Sequence, residues 1–386
     1  MRSLDQFATE KLATLEACSQ RRVLAETASG AGARVRRGGR ELISFSSNDY
    51  LALSRQPAVV EAAIAALREH GLGAGASRLV TGNHPLYAAL EARLARWKGT
   101  QSAIVFGSGY LANLGIVPAL AGAGDLILAD ELSHACLLSA ARLSGAEFVR
   151  FAHNNIAAVE RELKTRRARA HHALILTDGV FSMDGDLAPL PEFASLACEH
   201  DAWLMVDDAH GLGTVGGGRG SAFAFGAAVD VPLQMGTLSK AAGAYGGYLC
   251  ASAPVVALLH NRARSFVYST GLPPAIVAGA TAALDFIAEN PAYTGRPLAH
   301  ARTFTRALDL PLAQSPIVPL ILGSEAVALG ASAILEAAGF LVTAIRPPTV
   351  PEGTARLRFA FSAAHEESDV LALAEIIRTR ILQNAR

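Results

Sequence analysis

Hydrophobic residues in the middle of the chain form short runs that alternate with segments of helical periodicity. Several runs lack polar alternation, which is typical of strands covered on both faces. The predicted strands are 103–106, 126–129, 147–151, 173–177, 203–206, 233–235 and 248–251. The predicted helices between them are 111–120, 135–143, 156–167 and 191–200. This alternation predicts an α/β fold, a large domain with a mostly parallel mixed sheet flanked by helices.

The pattern changes towards the C-terminus, where it predicts a small α+β domain. Its predicted elements, in order, are a strand at 317–321, a helix at 325–338, strands at 340–344 and 356–361, and a helix at 369–381. A long helix over 273–290 would link the two domains. We therefore expect three segments: an N-terminal helix and extension (1–53), a large domain (54–290) and a small domain (291–386).

Composition narrows the class of protein. Of 386 residues, 51% are hydrophobic and the formal net charge is zero, which argues against a nucleic acid or an anionic membrane as partner. The longest apolar stretch, 273–288, is too short to span a bilayer, and residues 1–23 lack the apolar run of a signal peptide. Four cysteines without a CxxC pair indicate free thiols, no metal site and a reducing cytoplasm.

The residues after each strand are the candidates for chemistry, because ligands bind beyond the carboxyl ends of such strands. The strand at 203–206 runs into Asp207, Asp208 and His210. A buried carboxylate without a partner is costly, so these acids either bind a ligand or cap the next helix or loop. Taken alone, the motif leaves the two interpretations even.

Lys240 follows the strand at 233–235, close to Thr237 and Ser239. Hydroxyl groups beside a lysine suit a phosphate, although a solvated loop is the usual place for a lysine. The chain has only four lysines, at positions 11, 98, 164 and 240. Since lysine forms Schiff bases and arginine does not, Lys240 is a candidate for covalent chemistry. We expect the other three lysines on the solvated surface.

Three more strand ends carry polar groups. Gly109 and Tyr110 open a helix whose N-terminus is suited to a phosphate, although a tight turn there needs glycine in any case. His134 follows the strand at 126–129, where a lone histidine is more often an ordinary loop residue. Asp178 and Ser182 lie in a turn-rich loop after 173–177 that is able to reach a ligand.

Together these groups match the parts of pyridoxal phosphate. Its phosphate needs donors, its pyridinium nitrogen needs a carboxylate and its aldehyde needs a lysine. We therefore expect pyridoxal 5'-phosphate as the cofactor, bound at the carboxyl edge of the sheet.

The sequence resembles the α-oxoamine synthases, a branch of the fold-type-I pyridoxal-phosphate enzymes. Motifs in the family's order cover nearly the whole chain. They are FSSNDYLALS (45–54), GAGASRLVTGNH (73–84), SHACL (133–137), DGVFSMDGD (178–186), VDDAHGLGTVG (206–216), GTLSKAAGAYGG (236–247), YSTGLPP (268–274) and RPPTVPEGTARLR (346–358).

The resemblance implies a role for each residue around the cofactor ring. Lys240 binds the cofactor covalently and later moves the α-proton of the substrate. Asp207 pairs with the pyridinium nitrogen, and His210 forms a hydrogen bond with the phenolic oxygen. His134 stacks on the ring, and Ser182 lies near its phenolic side.

The resemblance also implies contacts with the phosphate and the substrate. Gly109, Tyr110 and Thr237 surround the phosphate. The site is shared within a homodimer, so Thr270 reaches the phosphate of the neighbouring subunit. The positions that match substrate-binding residues are Arg22 (with Arg21 as a one-residue alternative), Asn48, His153 and Arg358 near the amino-acid carboxylate, and Thr349 near the substrate.

For the reaction, the resemblance implies a decarboxylative condensation of L-alanine with pimeloyl-CoA. Other pairs within the family remain open: glycine with acetyl-CoA or succinyl-CoA, and serine with a long-chain acyl-CoA. An aminotransferase of the same fold fits the motifs poorly. A non-catalytic partner subunit is a further alternative, but such a chain would be free to lose Lys240.

Overall fold

The computed structural model describes residues 3–383 and divides them into two compact units. One unit comprises residues 48–298. The other comprises the residues up to Ser47 together with those from Ala299 onward. The sequence predicted the limits of the large domain after residue 53 and at residue 290. The division into three segments stays a prediction.

A seven-stranded mixed sheet forms the centre of the unit 48–298. Its spatial order is Ser102–Phe106, Gly247–Ala251, Leu233–Thr237, Trp203–Asp207, Ala173–Asp178, Leu126–Asp130 and Glu147–Phe151. Only Gly247–Ala251 runs antiparallel to its neighbours in this sheet. The structure confirms all seven predicted strands, with bounds that differ by two residues at most.

Alternate side chains of the sheet enter two separate apolar layers, which explains the unbroken hydrophobic runs. Leu174 and Leu176 belong to one buried cluster, and Ala173 and Ile175 belong to the other. Each layer is completed by helices, as expected for a sheet with both faces covered.

The helices of this unit confirm the four that were predicted between strands. The α-helices are Pro57–His70, Leu86–Lys98, Gly109–Leu120, Ala135–Ser144, Ile156–Arg166, Leu190–Glu199, Ala253–Arg262, Arg264–Val267, Pro274–Glu289 and Pro291–Thr294. Pro274–Glu289 packs against Pro57–His70 and Leu86–Lys98. None of the helices within residues 3–383 combines the length and apolar character needed to cross a membrane.

The other unit contains two small sheets. One has the order Thr27–Ser29, Arg34–Arg37, Arg40–Ser44 and Phe340–Leu341, and the other has the order Ile317–Gly323, Ala355–Ala360 and Thr343–Ile345. Its helices are Ser3–Ala17, Glu325–Ala337 and Glu367–Ile376, the last continued by a π-helical segment Ile377–Leu382. Helix Arg296–Ala307 spans the unit boundary.

One predicted strand of this unit, 340–344, is two strands in the structure. Phe340–Leu341 pairs in parallel with Arg40–Ser44, whereas Thr343–Ile345 pairs antiparallel with Ala355–Ala360. The chain changes sheets at Val342, which is buried. Periodicity alone does not reveal such a change, because it reports burial and not the identity of the pairing strand.

Lys98 corrects the expectation of a solvated surface lysine. Its side chain is 1% exposed, and its Nζ lies 2.7 Å from Asp208 Oδ2 and 2.6 Å from the carbonyl oxygen of Arg219. A Cβ at Gly220 would lie 1.7 Å from Asp208 Oδ2, so the loop beside this ion pair requires a glycine. The sequence pattern missed the pair because its members are far apart along the chain.

Replacing Lys98 with methionine should destabilise the protein by about 3–5 kcal/mol, because Asp208 would remain buried without its cation. Chemical denaturation monitored by circular dichroism measures this loss. Adding Asp208→Asn should restore part of the stability, since an amide oxygen still accepts from the Ser221 N–H. Lys164→Met, which removes the exposed ion pair with Glu160, serves as the control. An equal loss of stability in Lys98→Met and Lys164→Met would contradict the prediction.

Candidate active site

The carboxyl ends of the parallel strands surround a cavity of about 220 Å³. Because these strands run in the same direction, residues distant in sequence meet at one edge of the sheet. Seven predicted site residues line the cavity: Gly109, Tyr110, His134, Asp207, His210, Thr237 and Lys240. Cys136, Asp178, Ala209, Met235 and Ser239 complete its wall.

A chain of hydrogen bonds holds Lys240 at this cavity. Lys240 Nζ lies 2.7 Å from His210 Nε2, and His210 Nδ1 lies 2.7 Å from the hydroxyl of Tyr50. The Tyr50 hydroxyl in turn donates to Asn48 Oδ1 at 3.2 Å. This order is consistent with a neutral His210 that accepts from Lys240 and donates to Tyr50. The chain fixes the direction from which the lysine amine approaches the cavity.

Asp207 is buried and held by two N–H donors. The Asn113 amide donates to Oδ2 at 2.7 Å, and the Ala209 backbone N–H donates to Oδ1 at 3.0 Å. Both donors stabilise the ionised carboxylate, because hydrogen bonds to the charged form favour it. Asp207 is therefore suited to pair with a cationic ring N–H.

A second carboxyl, Asp178, lies on the neighbouring strand in register with Asp207. Burial, and then the charge of Asp207, raise the pKa of Asp178 well above its ordinary value, which favours its protonated form. The His134 backbone N–H donates to Asp178 Oδ1 at 3.1 Å. Burial also lowers the pKa of the His134 ring, which favours neutral imidazole. Asp178 is therefore the carboxyl of this pair whose environment favours the neutral form.

The part of the cavity wall at Gly109 is suited to a phosphate. Helix Gly109–Leu120 begins here, and Ser108 caps it by accepting from the Leu111 N–H at 3.2 Å. A Cβ at Gly109 would lie 3.4 Å from Thr237 Cβ, so a side chain there would fill space beside the helix N-terminus. The hydroxyls of Thr237 and Ser239 lie 3.2 Å apart. Free N–H groups and the helix dipole favour an anion at this point.

The cavity therefore fits pyridoxal phosphate part by part. Lys240 is available for the aldehyde, Asp207 for the pyridinium nitrogen, and the N-terminus at Gly109 for the phosphate. The neutral imidazole of His134, which also lines the cavity, is suited to stacking on a flat ring. Within residues 3–383, no cluster of histidine, cysteine, aspartate and glutamate has the geometry of a metal site.

Four predicted residues of the same unit are not among those that line the cavity in the described chain: Asn48, which belongs to the hydrogen-bond chain from Lys240, and Ser182, Thr270 and His153. Ser182 is buried in the loop after Ala173–Asp178, and Thr270 is exposed and pairs with Ser77. His153 Nδ1 lies 3.1 Å from Asp130 Oδ1, and its Nε2 lies 2.9 Å from an Asp186 oxygen.

The two carboxylates keep the His153 ring cationic. Burial alone would lower the pKa of His153, but the hydrogen bonds and charges of Asp130 and Asp186 outweigh it and raise the pKa to about 10. Both ring nitrogens therefore donate to carboxylates, and His153 contributes a fixed positive charge to this loop region.

The remaining predicted residues belong to the unit formed by the two ends of the chain. Arg22 donates to the Thr349 hydroxyl at 2.8 Å, which brings these two exposed residues together. Arg358 is buried within strand Ala355–Ala360. Thr343 lies opposite Arg358 in the neighbouring strand.

Two residues around the cavity were not identified from the sequence. Tyr50, which completes the hydrogen-bond chain from Lys240, lies two positions after Asn48 in the FSSNDY motif. Asn113, which binds Asp207, is fully buried in an otherwise apolar helix. A polar residue on the buried face of that helix was the signal that could have found Asn113, since an amide is costly to bury without a partner.

The chain is similar over its length to known proteins. The family described as aminotransferase class I and II matches residues 40–377. An 8-amino-7-oxononanoate synthase from Methylorubrum extorquens is 61% identical over 97% of this chain and 95% of its own, and one from Beijerinckia indica is 58% identical over 100% of both. Among solved structures, serine palmitoyltransferase from Sphingomonas wittichii has a TM-score of 0.90 at 32% identity and covers 98% of both chains.

Proposed function

Because this chain belongs to the aminotransferase class I and II family, and within it to the α-oxoamine synthases, we propose that it condenses L-alanine with pimeloyl-CoA. The products are 8-amino-7-oxononanoate, CoA and carbon dioxide, a step of biotin biosynthesis. The observation that carries this type of reaction is the meeting of Lys240 and Asp207 in one cavity. The substrate pair is supported by relatives of the same length that are named for this product.

The chain is a pyridoxal-phosphate-dependent acyltransferase. When bound, the cofactor supplies an aldehyde for a Schiff base and a ring that withdraws electrons from the substrate Cα. Lys240, in the wall of the cavity, would hold the cofactor by its amine, and the same amine is placed to act as the base for the Cα proton. His210 holds the amine of Lys240 by its Nε2, and Asp207 holds a negative charge towards the ring nitrogen.

We assign substrate binding to the residues that matched the family's positions. Arg358 is a candidate for the substrate carboxylate because a guanidinium binds carboxylates in a bidentate fork. Arg22 and Thr349 are already in contact and would contribute together. Asn48 belongs to the Lys240 chain, and His153 is the matching position in the loop region, where Asp130 and Asp186 hold its ring.

We propose that the active form is a homodimer with shared sites, in which Thr270 reaches the cofactor phosphate of the partner subunit. Thr270 is exposed, and the Ser77 pairing fixes its backbone. Large apolar side chains near Ser77 and Thr270 in the sequence are exposed. The exposed fractions of Leu79, Val80 and Tyr268 are 54%, 74% and 73%. Such a patch favours association with a second copy.

We expect the enzyme to act in the cytoplasm. All four cysteines are unpaired, and Cys136 and Cys250 are buried. Free thiols are the usual state of cysteine in a reducing compartment.

The test of this function is thiol release from acyl-CoA by the pyridoxal-phosphate-loaded protein. We expect release mainly with L-alanine and pimeloyl-CoA, compared with glycine or L-serine and acetyl-, succinyl- or palmitoyl-CoA. Release mainly with another pair would show that the protein has the activity of a different α-oxoamine synthase. A bound, absorbing cofactor without release from any pair would contradict the proposed condensation and favour an aminotransferase or a non-catalytic subunit.

A further inference from the structure

The Asn113 side chain forms hydrogen bonds with two residues of the cavity wall, Asp207 and Cys136. Its Nδ2 lies 2.7 Å from Asp207 Oδ2 and 3.0 Å from Cys136 Sγ. An amide NH2 has two protons, so Asn113 is able to donate to both atoms at once. Its NH2 must face Asp207, because an amide oxygen in that position would repel the carboxylate.

Cys136 continues the connection to His134. Burial and the nearby charge of Asp207 raise the pKa of the Cys136 thiol, so the sulfur keeps its proton. The sulfur lies 2.8 Å from His134 Nδ1, and the Cys136 backbone N–H donates to the same nitrogen at 3.3 Å. Two donors at Nδ1 require that this nitrogen carries no proton. His134 is thereby held as the neutral tautomer with its proton on Nε2.

A role in packing alone does not account for Asn113. The side chain is fully buried, and its Oδ1 has no hydrogen-bond partner among the described residues. The same helix buries Ala112 and Ile116 in an apolar cluster, where a hydrocarbon side chain would avoid the cost of an unsatisfied amide oxygen. The buried amide is therefore explained by its two donated hydrogen bonds.

We propose that Asn113 and Cys136 are positioning residues that couple Asp207 to His134. Asn113 orients the carboxylate that faces the ring nitrogen of the cofactor, and the Cys136 thiol orients the imidazole that covers the ring. This relay, the series of hydrogen bonds that joins Asp207, Asn113, Cys136 and His134, thus orients both the carboxylate at the edge of the cofactor ring and the imidazole on its face. This inference rests on the proposed function for its purpose, but its contacts belong to the chain itself.

The first test uses the matched variants Cys136→Ala and Cys136→Ser in the full-length, pyridoxal-phosphate-loaded protein. Histidine labelled with ¹⁵N reports the ring protonation of His134 by NMR, with His134→Asn used to identify its signal. Loss of a donor to Nδ1 should raise the pKa of His134 by roughly one unit in Cys136→Ala. Serine retains a hydroxyl donor, so Cys136→Ser should titrate like the wild type.

The titration of His134 also depends on the charges that face it. Asp207 raises the pKa of His134 and Lys240 lowers it, while Asp178 accepts from its backbone N–H. These three residues are unchanged in both Cys136 variants, so a difference between alanine and serine reports the thiol position. A wild-type titration in Cys136→Ala would overturn the relay.

The second test measures the other half of the relay. Asn113→Ala should weaken pyridoxal-phosphate binding by about tenfold or more in equilibrium dialysis, since a hydrogen bond to a charged group is lost. The exposed Asn261→Ala is the control. Unchanged affinity for the cofactor in a folded Asn113→Ala protein would overturn the proposal. If Asn113→Ala does not fold, the comparison of Cys136→Ala with Cys136→Ser still tests the proposal. Failure of the wild type to bind the cofactor would refute the proposed function, whereas the same His134 titration on the full-length protein without cofactor would still test the contact, because its atoms belong to the chain itself.

Discussion

Replacing Lys240 with alanine is expected to lower the rate of CoA release by about 1,000-fold or more. In the proposed site, the variant lacks both the amine that would bind the cofactor covalently and the base that would take the Cα proton, and a general base alone contributes roughly 10²–10⁴-fold to a rate. The visible absorption of the protein-bound Schiff base should also disappear. Release of CoA from pimeloyl-CoA and absorption spectra of the dialysed protein measure the two effects.

Two comparisons separate this effect from general damage to the protein. Lys164→Ala, on an exposed helix face, should retain wild-type turnover and absorption. An added small primary amine should restore part of the rate in Lys240→Ala, because it re-supplies a base to a cavity that is otherwise intact. Full turnover together with unchanged absorption in Lys240→Ala would show that the lysine has been assigned wrongly.

The strands of the large sheet could be predicted because burial on both faces leaves an unbroken hydrophobic pattern. Leu174 and Ile175 enter opposite apolar layers, so neither position needs a polar residue. Once these strands were placed, the rule that parallel strands share a carboxyl edge brought Asp207 and Lys240 to one cavity. Local pattern and topology were sufficient for these two residues.

Other features depend on contacts between distant segments, which periodicity does not report. Lys98 ends a helix and resembles a surface residue in sequence, yet its partner Asp208 comes from the loop after another strand. Asn113 has the same character, because its partner Asp207 ends another strand and its partner Cys136 lies in the first turn of another helix. The change of sheets at Val342 likewise depends on which strand is adjacent in space.

The resemblance to a family added residues that the physical pattern did not identify. Arg22 and Thr349 lie outside helices and strands, without a strong local signal, and the structure places them in hydrogen-bond contact. Their contact with substrate remains a proposal. Substrate choice depends on the shape of a complete pocket, including any surface supplied by a second copy of the chain.

Asp207→Asn is expected to reduce the rate of CoA release by about 100-fold, the scale seen when one preorganised electrostatic contact is lost. In the proposed site, the substitution removes the charge that would keep the cofactor nitrogen protonated. Both carboxylate oxygens of Asp207 accept from an N–H donor, one from Asn113 and one from Ala209. In asparagine, one of these oxygens becomes an NH2 group, which is unable to accept from the donor that it faces. The Schiff base with Lys240 should survive, because the lysine and His210 are untouched.

The separation of these two readouts is what tests the assignment of Asp207. Visible absorption should persist while CoA release falls, in contrast to Lys240→Ala, in which both are lost. Asp207→Glu keeps the charge but displaces it by one methylene, so it should retain more activity than Asp207→Asn. Asp230→Asn at an exposed position is the control and should match the wild type. If Asp207→Asn kept more than roughly a tenth of the rate, the negative charge at this position would not be supporting the electron-withdrawing ring.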